Sequence, residues 1–180
     1  MSTIQRPFGD FASTPAATVV PATGTVVAKE TGDDSHHITT IDIADLTILA
    51  TTNASVGGGK LIYTFPAGKI VVKRATISIG VIGTAALNAA DTPEIGIGTV
   101  VATGAIATLG AGGATMENIF EGTAMADCNN TAYQGSQDRI LAITEAGVHD
   151  VYLNLADGWA GIDAGMKATG RVILEWAYMS

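Results

Sequence analysis

Three histidines, one cysteine and two glycine-bearing runs are the residues of this chain whose types invite chemistry. His36 and His37 follow Asp33 and Asp34, and His149-Asp150 lies far along the sequence. Cupin-like metal enzymes converge His and Glu from separate strands on one ion. Neighbouring residues of a regular strand point to opposite faces, so His36 and His37 cannot both reach one ion from such a strand. The His-x-His spacing followed by Glu is also missing, and the pair reads as solvated polar residues opening a strand. Cys128 sits among Asp127, Asn129 and Asn130 with no Lys, Arg or His beside it to favour a thiolate. Gly57-Gly58-Gly59-Lys60 has Ala54 where a phosphate loop needs Gly and Leu61 where it needs Ser or Thr. It also leads into a strand, with no helix N-terminus to hold an anion, so it reads as a hairpin turn. Asp157 to Asp163 lacks the alternating Asp and Asn and the terminal Glu of a calcium loop. Trp159 within it reads as an exposed aromatic anchor. No nucleophile has a partner base in a motif context, so the expectation is no catalytic, cofactor-binding or metal-binding residue, and no enzyme.

The elements that would position any of these are strands. From Thr76, the run Gly68 to Gly83 alternates, with Ile77, Ile79 and Val81 on one side and Thr76, Ser78 and Gly80 on the other. That period of two with β-branched residues specifies a strand with one face on a core. Ile70-Val71-Val72 is apolar on both parities, which implies cover on both faces or a bend into a second sheet. Pro66-Ala67-Gly68 reads as the turn of a central hairpin returning from Leu61–Phe65. Ile41 and Ile43 change parity to Leu46 and Ile48, the mark of a bulge at Ala44-Asp45. Glu94 to Thr99 has an Ile face and a Gly face, and the Gly face invites another backbone to approach. Val100 to Gln137 reads as a long partner-contacting loop holding one short helix over Thr115–Gly122. Arg139–Thr144, Val151–Leu155 and Gly170–Met179 complete about eight strands. The expected fold is all-β, a two-sheet antiparallel sandwich of jelly-roll type with one short helix. Pro7, Pro15 and Pro21 make residues 1–35 an extended N-terminal arm, which leaves 36–180 as the sandwich domain.

Composition bounds the partners. Of the 180 residues 47% are hydrophobic and 14% charged, enough for one cored domain. Seventeen acidic residues against nine basic ones give a net charge of -8, the wrong sign for nucleic acid or an anionic membrane. A single cysteine forms no intrachain disulfide, and no signal-like pattern opens the sequence, so a product made in a cytoplasm that stays soluble or assembles there is expected. So sparse a charge suggests that other protein, copies of itself or a partner, covers part of the surface.

Tyr63–Gly68 leading into Ile70–Val72, then Val151–Ala156, then Ala168–Trp176 resembles, in pattern and order, the small β-sandwich decoration (cement) proteins of tailed-bacteriophage heads. The resemblance covers roughly residues 60–180 and rests on no diagnostic motif. It implies a virion structural protein on the outer capsid surface that binds the major capsid protein and assembles as a homotrimer. The arm and the long loop are then the contact regions, with Phe8, Phe11, Met116, Phe120 and Trp159 as apolar anchors. Two other classes stand beside it: a carbohydrate- or receptor-binding sandwich of a tail or head fibre, and a cupin-like metal enzyme using His36, His37 or His149.

Overall fold

A computed structural model describes residues 25–33, 35–49, 57–82, 93–125, 131–156 and 166–179. The alternating run lies in β4 (Ile70–Ile82), where Ile77, Ile79 and Val81 are buried and Thr76 and Ser78 half-buried. The other strands are β1 (Thr25–Asp33), β2 (His36–Leu49), β3 (Gly58–Thr64), β5 (Glu94–Gly98), β6 (Phe120–Ala124), β7 (Tyr133–Ile143), β8 (Asp150–Ala156) and β9 (Met166–Tyr178). They form a five-stranded sheet in the order β1-β2-β9-β4-β7 and a four-stranded sheet in the order β3-β8-β5-β6. The pairing is antiparallel throughout and nested: β2 with β9, β3 with β8, β4 with β7, β5 with β6. Successive pairs fall in alternate sheets, as when one long hairpin with β5 and β6 at its tip is wrapped over itself. The chain is an all-β sandwich.

That wrap overturns the central hairpin. β3 and β4 lie in different sheets, because β9 and β7 occupy both edges of β4 and β8 takes β3. Pro66-Ala67-Gly68 therefore crosses between layers, and the Phe65 N–H goes to the His149 carbonyl at 2.9 Å. Ile70-Val71-Val72 is not covered on both faces equally. Ile70 and Val72 are buried, Val71 is half-buried, and a register shift between Val72 and Arg74 restores the inward phase at Ala75. The bulge expected in β2 is present: the register shifts between Ile43 and Leu46, and Asp45 has φ 57°. Its N–H donates to Thr169 Oγ1 at 3.1 Å. Ile41, Ile43, Leu46 and Ile48 are all buried as a result.

The boundary expected at residue 35 falls inside a hairpin. Thr25–Asp33 pairs with β2 of the same chain from Thr25↔Ala44 to Asp33↔His36, so the sandwich begins by Thr25. Residues 1–24 of the expected arm lie outside the described residues. The helix is displaced too. One turn, α1 (Leu109–Gly112), is capped by Thr108, whose Oγ1 accepts the Ala111 N–H, and a single 3-10 turn follows at Ala114–Met116. Helical signals over Thr115–Gly122 lose to longer-range bonds. Asn118 gives both ends of its amide to Thr99, the Ile119 N–H goes to the Ile97 carbonyl, and Phe120 enters β6 beside β5.

The core is the interior between the sheets, with Trp176, Phe65 and Phe120 its largest fully buried side chains. Trp176 Nε1 donates to Thr39 Oγ1 at 2.9 Å, which removes the cost of burying an indole N–H without an acceptor. The other face of β8 is covered by the segment after β5. Ala102, Leu109 and Ala156 form a small second cluster there, with Ile106 and Met116 packed on it. Asn154, fully buried, fastens that cover: Oδ1 accepts the Ala102 N–H at 2.9 Å, and Nδ2 donates to the Val100 and Met116 carbonyls at 2.9 and 2.7 Å. Replacing Asn154 with Ala strands three backbone groups, and we expect a loss of about 3 kcal/mol. Urea unfolding measures that loss, with accelerated hydrogen exchange at the Ala102 amide as its local signature.

Candidate functional site

The three histidines do not converge. His36 is on the outer face of the five-stranded sheet, with Nε2 3.9 Å from Glu175. His37, on the opposite parity, turns inward and stacks on Trp176 with ring centroids 4.0 Å apart. Its Nδ1 lies 2.7 Å from Glu30 Oε1, and Glu30 Oε2 accepts the Tyr63 hydroxyl at 2.9 Å. Burial pushes the Tyr63 phenol upward, with the Glu30 carboxylate adding to the shift, so Tyr63 remains a donor. His149 sits between turns, its Nδ1 2.9 Å from the Gly147 carbonyl and its Nε2 2.9 Å from the Gly68 carbonyl. Among the described residues no three His, Cys, Asp or Glu side chains are placed to hold one ion.

The glycine run before Lys60 is not a hairpin turn but the start of β3, and it serves packing. Gly59 and Gly96 flank Asn154 in the register, and a Cβ on Gly59 would land on Asn154 Oδ1. Gly98, on the glycine face of β5, lies against the Met116 backbone, the close approach expected of that face. Of the expected anchors, Phe120 is fully buried and packs edge-on to Tyr133, so as an inward-facing strand residue it offers no surface. Met116 is half-buried against the small cluster. Phe8, Phe11 and Trp159, with Cys128 and the Asp157–Asp163 segment, lie outside the described residues.

Two surfaces stand out that sequence patterns did not single out. The first is at the end of the sandwich where the β3–β4 and β7–β8 turns meet the end of β9. Val148, Tyr178 and Met179 are 53%, 39% and 45% exposed there. The patch is held firmly: Met179 N–H donates to the Lys69 carbonyl at 2.8 Å, and the Tyr178 ring lies over Gly68, whose carbonyl meets His149. Alternation identifies which strand residues face inward, but the meeting of two turns with the end of β9 is a property of topology alone.

The second is a cleft of about 550 Å³ between the edge strands β6 and β7, lined by Glu117, Glu121, Arg139, Ile140 and Leu141 among others. Ile140 is 93% exposed. It lies at a bulge, since Val72 pairs with Leu141 and Arg74 with Asp138, leaving Arg139 and Ile140 opposite Lys73 alone. Across the cleft mouth Arg139 meets Glu121 at 3.1 Å, and Glu117 Oε2 accepts the Gly122 N–H at 2.8 Å. The Gln137 amide takes both backbone groups of Glu121, accepting its N–H at 2.8 Å and donating to its carbonyl at 3.2 Å.

No protein-family model matches this chain, and no curated protein matches it in sequence. Among solved structures it is similar to a chain of the cyanophage Pam1 capsid asymmetric unit, at 13% identity and a TM-score of 0.41 over 96% of this chain and 99% of that one. It is also similar to VP2 of the infectious bursal disease virus subviral particle, at 14% identity and a TM-score of 0.39. That match covers 93% of this chain and 38% of the other. Both neighbours are viral capsid structures.

Behind the cleft, Glu94 Oε2 accepts the Leu109 N–H at 2.7 Å. Burial raises the Glu94 carboxyl above its ordinary value; the Leu109 bond opposes the shift, and Glu117 and Glu121 reinforce it. A carboxyl raised on folding holds its proton more tightly in the native state, so its contribution to stability falls as pH rises through the folded value. Glu94→Gln keeps an acceptor for Leu109 and removes the charge. We expect it to match the parent at about pH 3, below both values, and to be the more stable protein at pH 7, as measured by urea unfolding at the two pH values.

Proposed function

We propose that this chain is a non-enzymatic virion protein: a decoration, or cement, protein of a phage head that clamps neighbouring major capsid subunits from the outer surface. The observation that carries this reading is the firmly held apolar end formed by Val148, Tyr178 and Met179. Exposed apolar side chains gathered at one end of a hydrogen-bonded frame favour a surface that protein covers. The nested pairing of eight strands supports reading the sandwich as a jelly roll, an architecture that recurs in capsid domains. On the outer face of the five-stranded sheet, Asp42 meets Arg171 at 2.7 Å and Arg74 meets Asp138 at 2.6 Å. Charges already neutralised within the chain can go under a partner without leaving an unpaired ion behind.

The mechanism is additive burial. Each copy covers several shell subunits at once, so the shell comes apart only by breaking many contacts together. A homotrimer multiplies those contacts and matches the threefold positions of a capsid lattice. In this reading the assembly forms in the host cytoplasm and ends on the capsid surface, with Phe8, Phe11 and Trp159 as further anchors and Met116 contributing its exposed part. Glycan recognition finds less support. It asks for exposed aromatic faces along a groove, and the residues lining the cleft include no aromatic ring.

Two measurements test the proposal together: the mass of the purified oligomer, and its co-sedimentation with expanded and unexpanded heads. Val148→Asp, at a half-exposed turn position, is expected to leave the melting temperature unchanged and to weaken head binding by about tenfold or more. Equal binding by the variant, or no binding by the parent, removes the cement reading.

A further inference from the structure

The five-stranded sheet ends at β1 and at β7, and the β7 edge borders the cleft. β7 is the last strand of its sheet, and among the described residues no strand pairs with its outer side. The facing edge, β6, is managed differently, because the Gln137 amide engages the N–H and the carbonyl of Glu121 as a neighbouring strand would. Exposed positions alternate along β7, and Ile140 is one of them, beside the cleft that Glu117 and Glu121 also line. Glu121 already meets Arg139, so a fitting occupant supplies backbone groups for the open edge, an apolar side chain for Ile140 and a cation for Glu117.

The chain contains such a segment ahead of β1. Residues 1–24 carry one cation, Arg6, and it lies two positions from Phe8 with Pro7 between. In an extended segment Arg6 and Phe8 point to one face and turn their backbone groups to one side. Pro7 turns to the other side, where its missing N–H becomes the new outer edge and discourages a further strand. We propose that residues 4–8 of one copy add as a sixth strand on the β7 edge of a second copy, with Arg6 toward Glu117 and Phe8 against Ile140. The inference rests on the homo-oligomer of the proposed function. Each copy has one such segment and one such edge, so a head-to-tail ring satisfies every copy. Sixteen or so residues from Phe8 to Thr25 span up to roughly 50 Å when extended, ample to reach a neighbour.

The test uses full-length protein without heads, so it is read independently of capsid binding. Two single variants, Phe8→Cys and Ile140→Cys, each in a Cys128→Ser background and with different mass tags, are mixed and oxidised. The expected product is a disulfide-linked pair containing one chain of each kind. Pairs of Ile140→Cys chains alone would mean that β7 meets β7. Failure to form the mixed pair, or an intrachain link in the Phe8→Cys/Ile140→Cys double variant, would mean that the segment does not dock on a second copy. Each of these results overturns the proposal. Charge reversal gives a second readout that needs no cysteine. Arg6→Glu and Glu117→Lys are each expected to weaken self-association about tenfold by sedimentation, and the two combined to restore it. Absence of that rescue also overturns the proposal.

Discussion

The fold depends on β9 finding two partners at once. It lies between β2 and β4, pairs with both, and brings Val172, Leu174 and Trp176 to the middle of the core. The Trp176 ring is packed by His37 on one face and by Phe65 and Tyr178 edge-on, while its N–H is bound to Thr39. Remove that strand and the five-stranded sheet divides into a β1–β2 hairpin and a β4–β7 pair with no strand pairing between them. Because β2 and β9 lie near opposite ends of the described chain, the nucleus that unites them must close a long loop, and such topologies fold slowly. The nested order follows from the same constraint: once β2 and β9 pair, each inner pair is brought within reach of the next.

Strand interiors were legible in the sequence because alternation is a local property. β4, β8 and β9 carry it, and the parity change at Ala44-Asp45 correctly marked a bulge whose extra residue adopts φ 57°. Pairing was not legible. The stretch Leu61–Phe65, Pro66–Gly68 and Ile70 onward has every local mark of a hairpin, yet a hairpin and a crossover between two sheets bury the same alternating residues. Only the competition of β7, β8 and β9 for the same edges decides between them. The misplaced helix has a similar cause. Glu117 and Asn118 carry helix-compatible signals, but their side chains bond Gly122 and Thr99, and those non-helical bonds outweigh a propensity worth tenths of a kcal/mol per residue.

The segment after β5 shows how a long loop can be structural first. Its length suggested partner contact, but a large part of it covers the outer face of β8, pinned by one buried amide. The glycines that looked like a phosphate loop belong to the same arrangement, since the flat backbone at Gly59 leaves the Asn154 amide the room it needs. Glycine on a strand face thus had two meanings in this chain, close backbone approach at Gly98 and space for a polar side chain at Gly59. Both are packing, and neither is chemistry. The sheet outside this cover is the one whose outer charges are paired across strands, as at Asp42 with Arg171.

Edge strands connect the fold to its surface chemistry. A two-layer sandwich has four edges, and each must be closed by something other than a continuing sheet if the protein is to stay discrete. On the β1–β3 side, Glu30 accepts from Tyr63 and approaches His37, a polar tie that joins the layers. On the β6–β7 side, one side-chain amide imitates a strand at Glu121 and an ion pair joins Arg139 to Glu121. β7 has the bulge and Asp138 along its length, devices that disfavour indiscriminate pairing without filling the cleft beside them. In the proposed assembly, an edge so treated rejects a generic strand and accepts one whose charge and shape fit, and selectivity of that kind is what would distinguish an assembly surface from one that is merely exposed.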